Sequence, residues 1–171
     1  MRRARGDATL SSTLFQRSEE GLQMGEMLDL TREAFRRNDA NDIEGFVAMQ
    51  AADCEWQTPD GPLQGRDAVR EYVGHFRRAF PEGRHTIVRS VESGHSIAVE
   101  GHWRGTHTGT LATPQGDVPA TGKTVEMTFA LFVGGDPAVG EASRVALYMD
   151  NFAMAAQLGL IPEPQAAAAA S

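Results

Sequence analysis

The sequence predicts an α+β domain, in which N-terminal helices are followed by one curved antiparallel sheet wrapped around or against them. Three observations carry that expectation. Apolar residues recur at helical spacing up to about residue 80 and then alternate with a period of two. Turn-forming pairs, Ser93-Gly94 and Gly134-Gly135-Asp136-Pro137, separate the alternating runs as hairpin loops do. Helices come first and strands afterwards, the order of a segregated α+β domain.

Met24, Met27, Leu28, Thr31 and Phe35 form one stripe of a first helix over about 24–37, which Asn38, Asp39 and Asn41 break. Asp42 starts a short second helix whose Ile43, Phe46 and Val47 face inward. Asp53 to Thr58 reads as a strand carrying Trp56, and Pro59-Asp60-Gly61-Pro62 as a turn. Gly65-Arg66-Asp67 opens a third helix with the strongest apolar stripe, Val69, Tyr72, Val73, Phe76 and Phe80, ended by Pro81 and Gly83. Strands follow over 85–91, 96–103, 124–133 and 143–150, with an irregular Gly/Thr/Pro-rich passage between the second and third. Residues 1–23 and 163–171 read as a flexible and a disordered tail, leaving one domain over 24–162.

Of the 171 residues, 41% are apolar and 23% charged, an ordinary globular composition. A net charge of -7 argues against a nucleic-acid surface, which needs clustered Lys and Arg. No stretch has the length of a membrane span, no signal-peptide core is present, and the single cysteine, Cys54, has no partner for a disulfide. A cytoplasmic protein without nucleic-acid or membrane partners is the expectation. Cys54 lies between Asp53 and Glu55, which oppose thiolate formation, so it reads as a strand residue.

Chemistry is expected where strand gives way to helix near the C-terminus. Val145, Leu147 and Met149 alternate with Arg144, Ala146, Tyr148 and Asp150, and Phe152, Ala155, Ala156 and Leu158 then fall at helical spacing before Gly159. Asp150 at the junction can cap the helix or point into a cavity. If Trp56, Phe76, Trp103, Phe129 and Tyr148 form apolar walls around it, burial raises its pKa towards neutrality and makes it an acid and a base. His107 either polarises a substrate carbonyl or is a turn residue. His85, His95 and His102 lie on or beside strands without ligand spacing, and no compact His/Asp/Glu group suggests a metal. The partly apolar second face of the late strands points to a homodimer.

The order of motifs over about 25–162 resembles the SnoaL-like polyketide (ester) cyclases. The likeness rests on Trp56, Pro59 and Gly61, Gly65-Arg66-Asp67-Ala68-Val69, Ala79-Phe80-Pro81, Val99-Glu100-Gly101, Gly105-Thr106-His107-Thr108-Gly109, Pro119-Ala120-Thr121-Gly122, Tyr148-Met149-Asp150 and Leu158-Gly159-Leu160. The resemblance implies a cone-shaped α+β barrel of the nuclear-transport-factor-two-like (cystatin-like) kind. It also implies an Asp acid/base matching Asp150, a pocket histidine matching His107, and no cofactor. Glu100 stands where many members carry an Arg. The implied reaction is an intramolecular aldol-type ring closure of a small hydrophobic carbonyl substrate, a lyase or isomerase type of activity. Two alternatives remain open: a non-catalytic small-molecule-binding or dimerisation module on the same fold, and an epoxide hydrolase or isomerase with Arg144 in an Asp-Arg-Asp arrangement.

Overall fold

A computed structural model describes residues 25–113 and 116–161, and the tails expected at 1–23 and 163–171 lie outside the described residues. Helix α1 (Glu26–Asp39) buries Met27 and Thr31 from the expected stripe, but its N-terminus has no side-chain cap of its own. The carboxylate of Glu92 serves instead, accepting from the Met27 N–H (3.0 Å) and the Leu28 N–H (3.3 Å). Helix α2 (Ile43–Ala48) is capped by Asp42, which accepts from the Gly45 N–H at 2.9 Å. Helix α3 (Gly65–Ala79) buries Val69, Val73 and Ala79. Helix α4 (Asn151–Leu158) ends at Gly159, whose φ of 77° is the left-handed conformation a glycine adopts without strain.

Among the described residues, eight strands accompany these helices. β1 (Gln50–Thr58), β2 (Gly61–Gln64), β3 (Arg84–Ser93), β4 (Ser96–Thr106), β7 (Thr124–Asp136) and β8 (Glu141–Met149) form one curved sheet in the order β2-β1-β8-β7-β4-β3. β5 (Leu111–Thr113) and β6 (Gly116–Val118) pair separately. Strand alternation sends one face of the large sheet towards α1, α2 and α3. Its cross-strand rows Ile97–Val133–Val145, Val99–Leu131–Leu147 and Gly101–Phe129–Met149 pack into the core, alongside Cys54, Trp56, Trp103, Val125 and Met127 of the same sheet. Burying each such large side chain stabilises the fold by about 1.5–3 kcal/mol relative to exposure. Cys54 is buried in this core, and burial pushes its thiol pKa up, in keeping with a structural role.

Several details differ from expectation. The sheet is mixed, because β1 and β8 run parallel, and it is not closed: β2 and β3 are its two free edges. Side-chain alternation is the same in either strand direction, so the pattern could not reveal it. Gly61–Gln64 is a strand, and Pro62 fits there because β2 is an edge. The irregular passage holds the β5–β6 hairpin. β7 runs through Gly134, Gly135 and Asp136 with a bulge between the glycines, which moves the hairpin loop to residues 137–140. Among the described residues no helix is long and apolar enough to cross a membrane.

Candidate functional site

Between the concave sheet face and the helices lies an apolar cavity of about 110 Å³. Inward-facing strand residues form its floor, with Trp56 from β1, Trp103 from β4, Phe129 and Leu131 from β7, and Leu147 and Met149 from β8. Leu30, Ala34 and Phe35 of α1 and Tyr72, Val73 and Phe76 of α3 form its roof. Phe129 reaches into this space because Gly101 stands opposite it. A Cβ at residue 101 would lie 2.4 Å from the ring of Phe129 and 2.7 Å from the Thr86 carbonyl.

Most polar groups on the wall are committed to protein partners. Thr31 Oγ1 donates to the Met27 carbonyl (2.8 Å). Gln50 donates to the Phe46 carbonyl (3.3 Å) and accepts from Trp56 Nε1–H (3.2 Å). The buried Arg77 guanidinium donates to Asn41 Oδ1 and to the carbonyls of Gly83, Pro81 and Asp39, tying the end of α3 to the end of α1. Burial pushes the Arg77 pKa down. Burial also pushes the Tyr72 phenol up to about 12, with Asp60 adding to the rise and Thr58 opposing it, so the phenol stays neutral at physiological pH.

Two groups on the wall are different. The first is His85 at the start of β3. Its Nδ1–H donates to Asp39 Oδ1 at 2.6 Å, and its backbone N–H donates to Asp39 Oδ2 at 3.0 Å. A carboxylate only accepts, so this pairing fixes the proton on Nδ1. Nε2 has no hydrogen-bond partner among the described residues. The ring is stacked on Phe35 (centroids 4.5 Å apart, 9° between planes) and meets the edge of Phe129 at 5.8 Å. The His85 and Asp39 side chains are only 15% and 16% exposed, which shields the pair from bulk screening. The second group is Asn38, whose Oδ1 is buried on the cavity wall without a partner. An imidazole nitrogen with a fixed tautomer can take up and return a proton, and an orphaned buried acceptor on the same cavity wall can hold a hydroxyl.

The SnoaL-like domain family matches residues 31–134, more than half of the chain. The chain belongs to the SnoaL-like domain family. Solved structures with the same fold include AclR from Streptomyces galilaeus, a candidate hydroxylase. It is 18% identical with a TM-score of 0.70, over 84% of this chain and 87% of that one. IdmH from Streptomyces antibioticus, a candidate polyketide cyclase, is 23% identical with a TM-score of 0.65, over 78% and 98% of the two chains. A candidate SnoaL-like polyketide cyclase from Jannaschia sp. CCS1 is 12% identical with a TM-score of 0.69, over 84% and 99%. No curated protein sequence matches.

In this SnoaL-like domain, Trp56, Phe76, Trp103 and Phe129 all line the cavity. Tyr148 does not. It lies on the outer sheet face, 56% exposed, with its ring against Phe132 at 6.1 Å. Asp150 is also elsewhere. It is exposed, and its carboxylate caps α4 by accepting from the Ala153 N–H at 2.9 Å, which corrects the expectation of a dry carboxyl. The reason is parity: Met149 faces the cavity, so its neighbours Tyr148 and Asp150 face away. His107 is fully buried but outside the cavity wall, tilted on Phe80 at 5.0 Å, with Nδ1 accepting from the Thr121 N–H (3.3 Å). Its backbone bonds to Lys123 and Gly122 close the neck of the 108–121 excursion.

Asp39 and the role of His85 escaped the sequence reading. One signal was available: an Asp in the last turn of a helix opposes the helix dipole and needs a compensating partner. Among the described residues no group of three or more His, Cys, Asp or Glu side chains is arranged to hold a metal.

Proposed function

We propose that this chain catalyses a cofactor-independent, aldol-type ring closure of a small hydrophobic carbonyl compound, a lyase or isomerase type of reaction, with His85 as the acid/base. The observation that carries the reading is the Asp39–His85 pair on the wall of an apolar cavity, with Nε2 uncommitted. In the first step Nε2 takes a proton α to a carbonyl, the C–H electron pair becomes the enolate, and Asp39 stabilises the imidazolium. The enolate carbon attacks a second carbonyl of the same molecule, forming the C–C bond and an alkoxide. The imidazolium then returns its proton to that alkoxide, leaving the histidine as it began. Asn38 Oδ1 accepts from a substrate hydroxyl and so orients the chain of carbonyls. Aromatic walls exclude water from the enolate.

The candidate polyketide cyclases that share the fold support this substrate class. So does TerC, whose structure was obtained co-crystallised with polyporic acid. A catalytic role for Asp150 has less support, since its carboxylate is exposed and committed to a helix end. The epoxide-hydrolase alternative also weakens, because Arg144 is exposed and paired with Glu55 at 2.8 Å. A homodimer through the outer sheet face and a cytoplasmic address complete the proposal.

Both tryptophans of the chain, Trp56 and Trp103, line the cavity, so intrinsic fluorescence reports ligand entry directly. Solvent exchange of the α-protons of 2-tetralone in D2O reports proton abstraction. A catalyst exchanges them, and His85→Gln loses about 10²–10⁴-fold in rate with its 2-tetralone affinity kept. A binding module quenches the fluorescence but accelerates no exchange, and that result sinks the catalytic reading.

A further inference from the structure

Arg77 is only 5% exposed, and among the residues that line the cavity it alone is permanently charged. A buried guanidinium is stable when it is hydrogen-bonded and also matched by a negative charge. Here the bonds are almost complete and the matching charge is missing. Nε–H donates to Asn41 Oδ1 (2.8 Å), one Nη1–H to the Gly83 carbonyl (2.9 Å), and Nη2 to the carbonyls of Asp39 (3.3 Å) and Pro81. All four acceptors are neutral oxygens. A guanidinium has five N–H donors, so the second Nη1–H has no partner among the described residues. The carboxylate whose charge acts on Arg77, that of Asp39, is taken up at both oxygens by His85.

The same contacts put this cation next to the proposed base. Asp39 joins the two, since its carbonyl accepts from Arg77 and its carboxylate from His85, and Gly83, the acceptor for Nη1, precedes His85 by two residues. Both side chains line the one cavity. We infer that Arg77 holds the substrate carbonyl oxygen whose α-carbon gives its proton to His85, and that it neutralises the enolate formed there. This deepens the acid/base reading above and rests on it for the identity of the base. As Nε2 takes the proton, the C–H pair becomes the enolate C=C bond and the C=O pair becomes negative charge on the oxygen that accepts from Nη1–H. Arg77 keeps its own protons, because a guanidinium does not titrate in this range. Before the step Arg77 and Asp39 balance in charge. After it the imidazolium balances Asp39 and the enolate balances Arg77. The cation thus gains its missing partner only as the anion develops, which favours the transition state over the bound ketone. The guanidinium is already fixed by its four protein bonds and faces an apolar space, so the stabilisation exceeds what water would give.

The test compares 2-tetralone with tetralin, a ligand of the same shape without the oxygen, on the full wild-type chain. Tryptophan fluorescence establishes that each is bound, and the side-chain N–H resonances of Arg77 are followed by NMR in H2O. 2-Tetralone is expected to move an Arg77 Nη–H proton downfield, as a new hydrogen bond does, while tetralin leaves it in place. Arg77→Gln is expected to lose about 10²–10³-fold in the rate of 2-tetralone proton exchange, with tetralin affinity kept as the measure that the cavity is intact. The wild-type comparison needs no variant, so it decides the matter even where Arg77→Gln does not fold. Arg77 resonances that respond equally to both ligands or to neither, full exchange activity in a folded Arg77→Gln chain, or no binding of 2-tetralone overturns the inference. The NMR readout is a contact and not a rate. A chain whose Arg77 answers to 2-tetralone but which exchanges no protons keeps the carbonyl contact and loses the catalytic reading, and exchange with a silent Arg77 does the reverse.

Discussion

Asp39 ends α1 with a negative charge where the helix dipole favours a positive one, and its surroundings compensate for this. His85 takes both carboxylate oxygens, while Arg84 and Arg77 donate to the Asp39 carbonyl at 2.7 and 3.3 Å. His107 shows the opposite treatment of the same residue type. The Thr121 N–H fixes its proton on Nε2, which is buried without a partner, and burial holds its pKa below the ordinary value of 6.5. The unfolded chain takes up a proton at this position as pH falls below about 6.5, while the folded chain does not. The unfolded state then binds more protons, so stability contributed by neutral His107 is present above that pH and is lost as pH falls through the folded pKa. Urea titrations of wild type and His107→Gln at pH 7.5 and 5.5 should show the wild-type advantage shrinking at the lower pH. A pH-independent difference would contradict the buried neutral assignment.

At the scale of the element, α1 depends on β3 at both ends, through Glu92 at its start and His85 at its finish. Glu92→Gln weakens the cap, and the expected loss is about 0.5–2 kcal/mol, read as a lower urea midpoint with an unchanged slope. These links were not legible in the sequence, because each joins residues tens of positions apart. Glu92 lies 65 positions from Met27 and His85 lies 46 from Asp39. The elements themselves were legible where a period was sustained, as in Val125 to Val133 and in the stripe of α3. Strand parity was legible too, since Tyr148 and Met149 must face opposite ways. Which of the two shares a face with Phe129 is a matter of register: Phe129 pairs with Met149, and Tyr148 with Ala130. Asp150 had both of its meanings written in the sequence, and only its surroundings separate the cap from the catalyst.

For the molecule as a whole, the open sheet leaves an outer face on which Phe132 and Tyr148 are exposed beside Ala98, Ala130 and Ala146. A second copy of the chain is the expected cover. Light scattering should give a dimer mass, and Phe132→Lys should shift it towards the monomer. A wild-type monomer at micromolar concentration would contradict the dimer. Catalysis in this cavity depends on which side chain moves the proton. The most direct measurement is the rate of α-proton exchange of 2-tetralone in D2O, followed by NMR for wild type, His85→Gln and Asp150→Asn side by side. Wild type and Asp150→Asn should accelerate exchange, and His85→Gln should lose about 10²–10⁴-fold in rate. Exchange that survives in His85→Gln, or that disappears in a folded Asp150→Asn chain, would contradict His85 as the base.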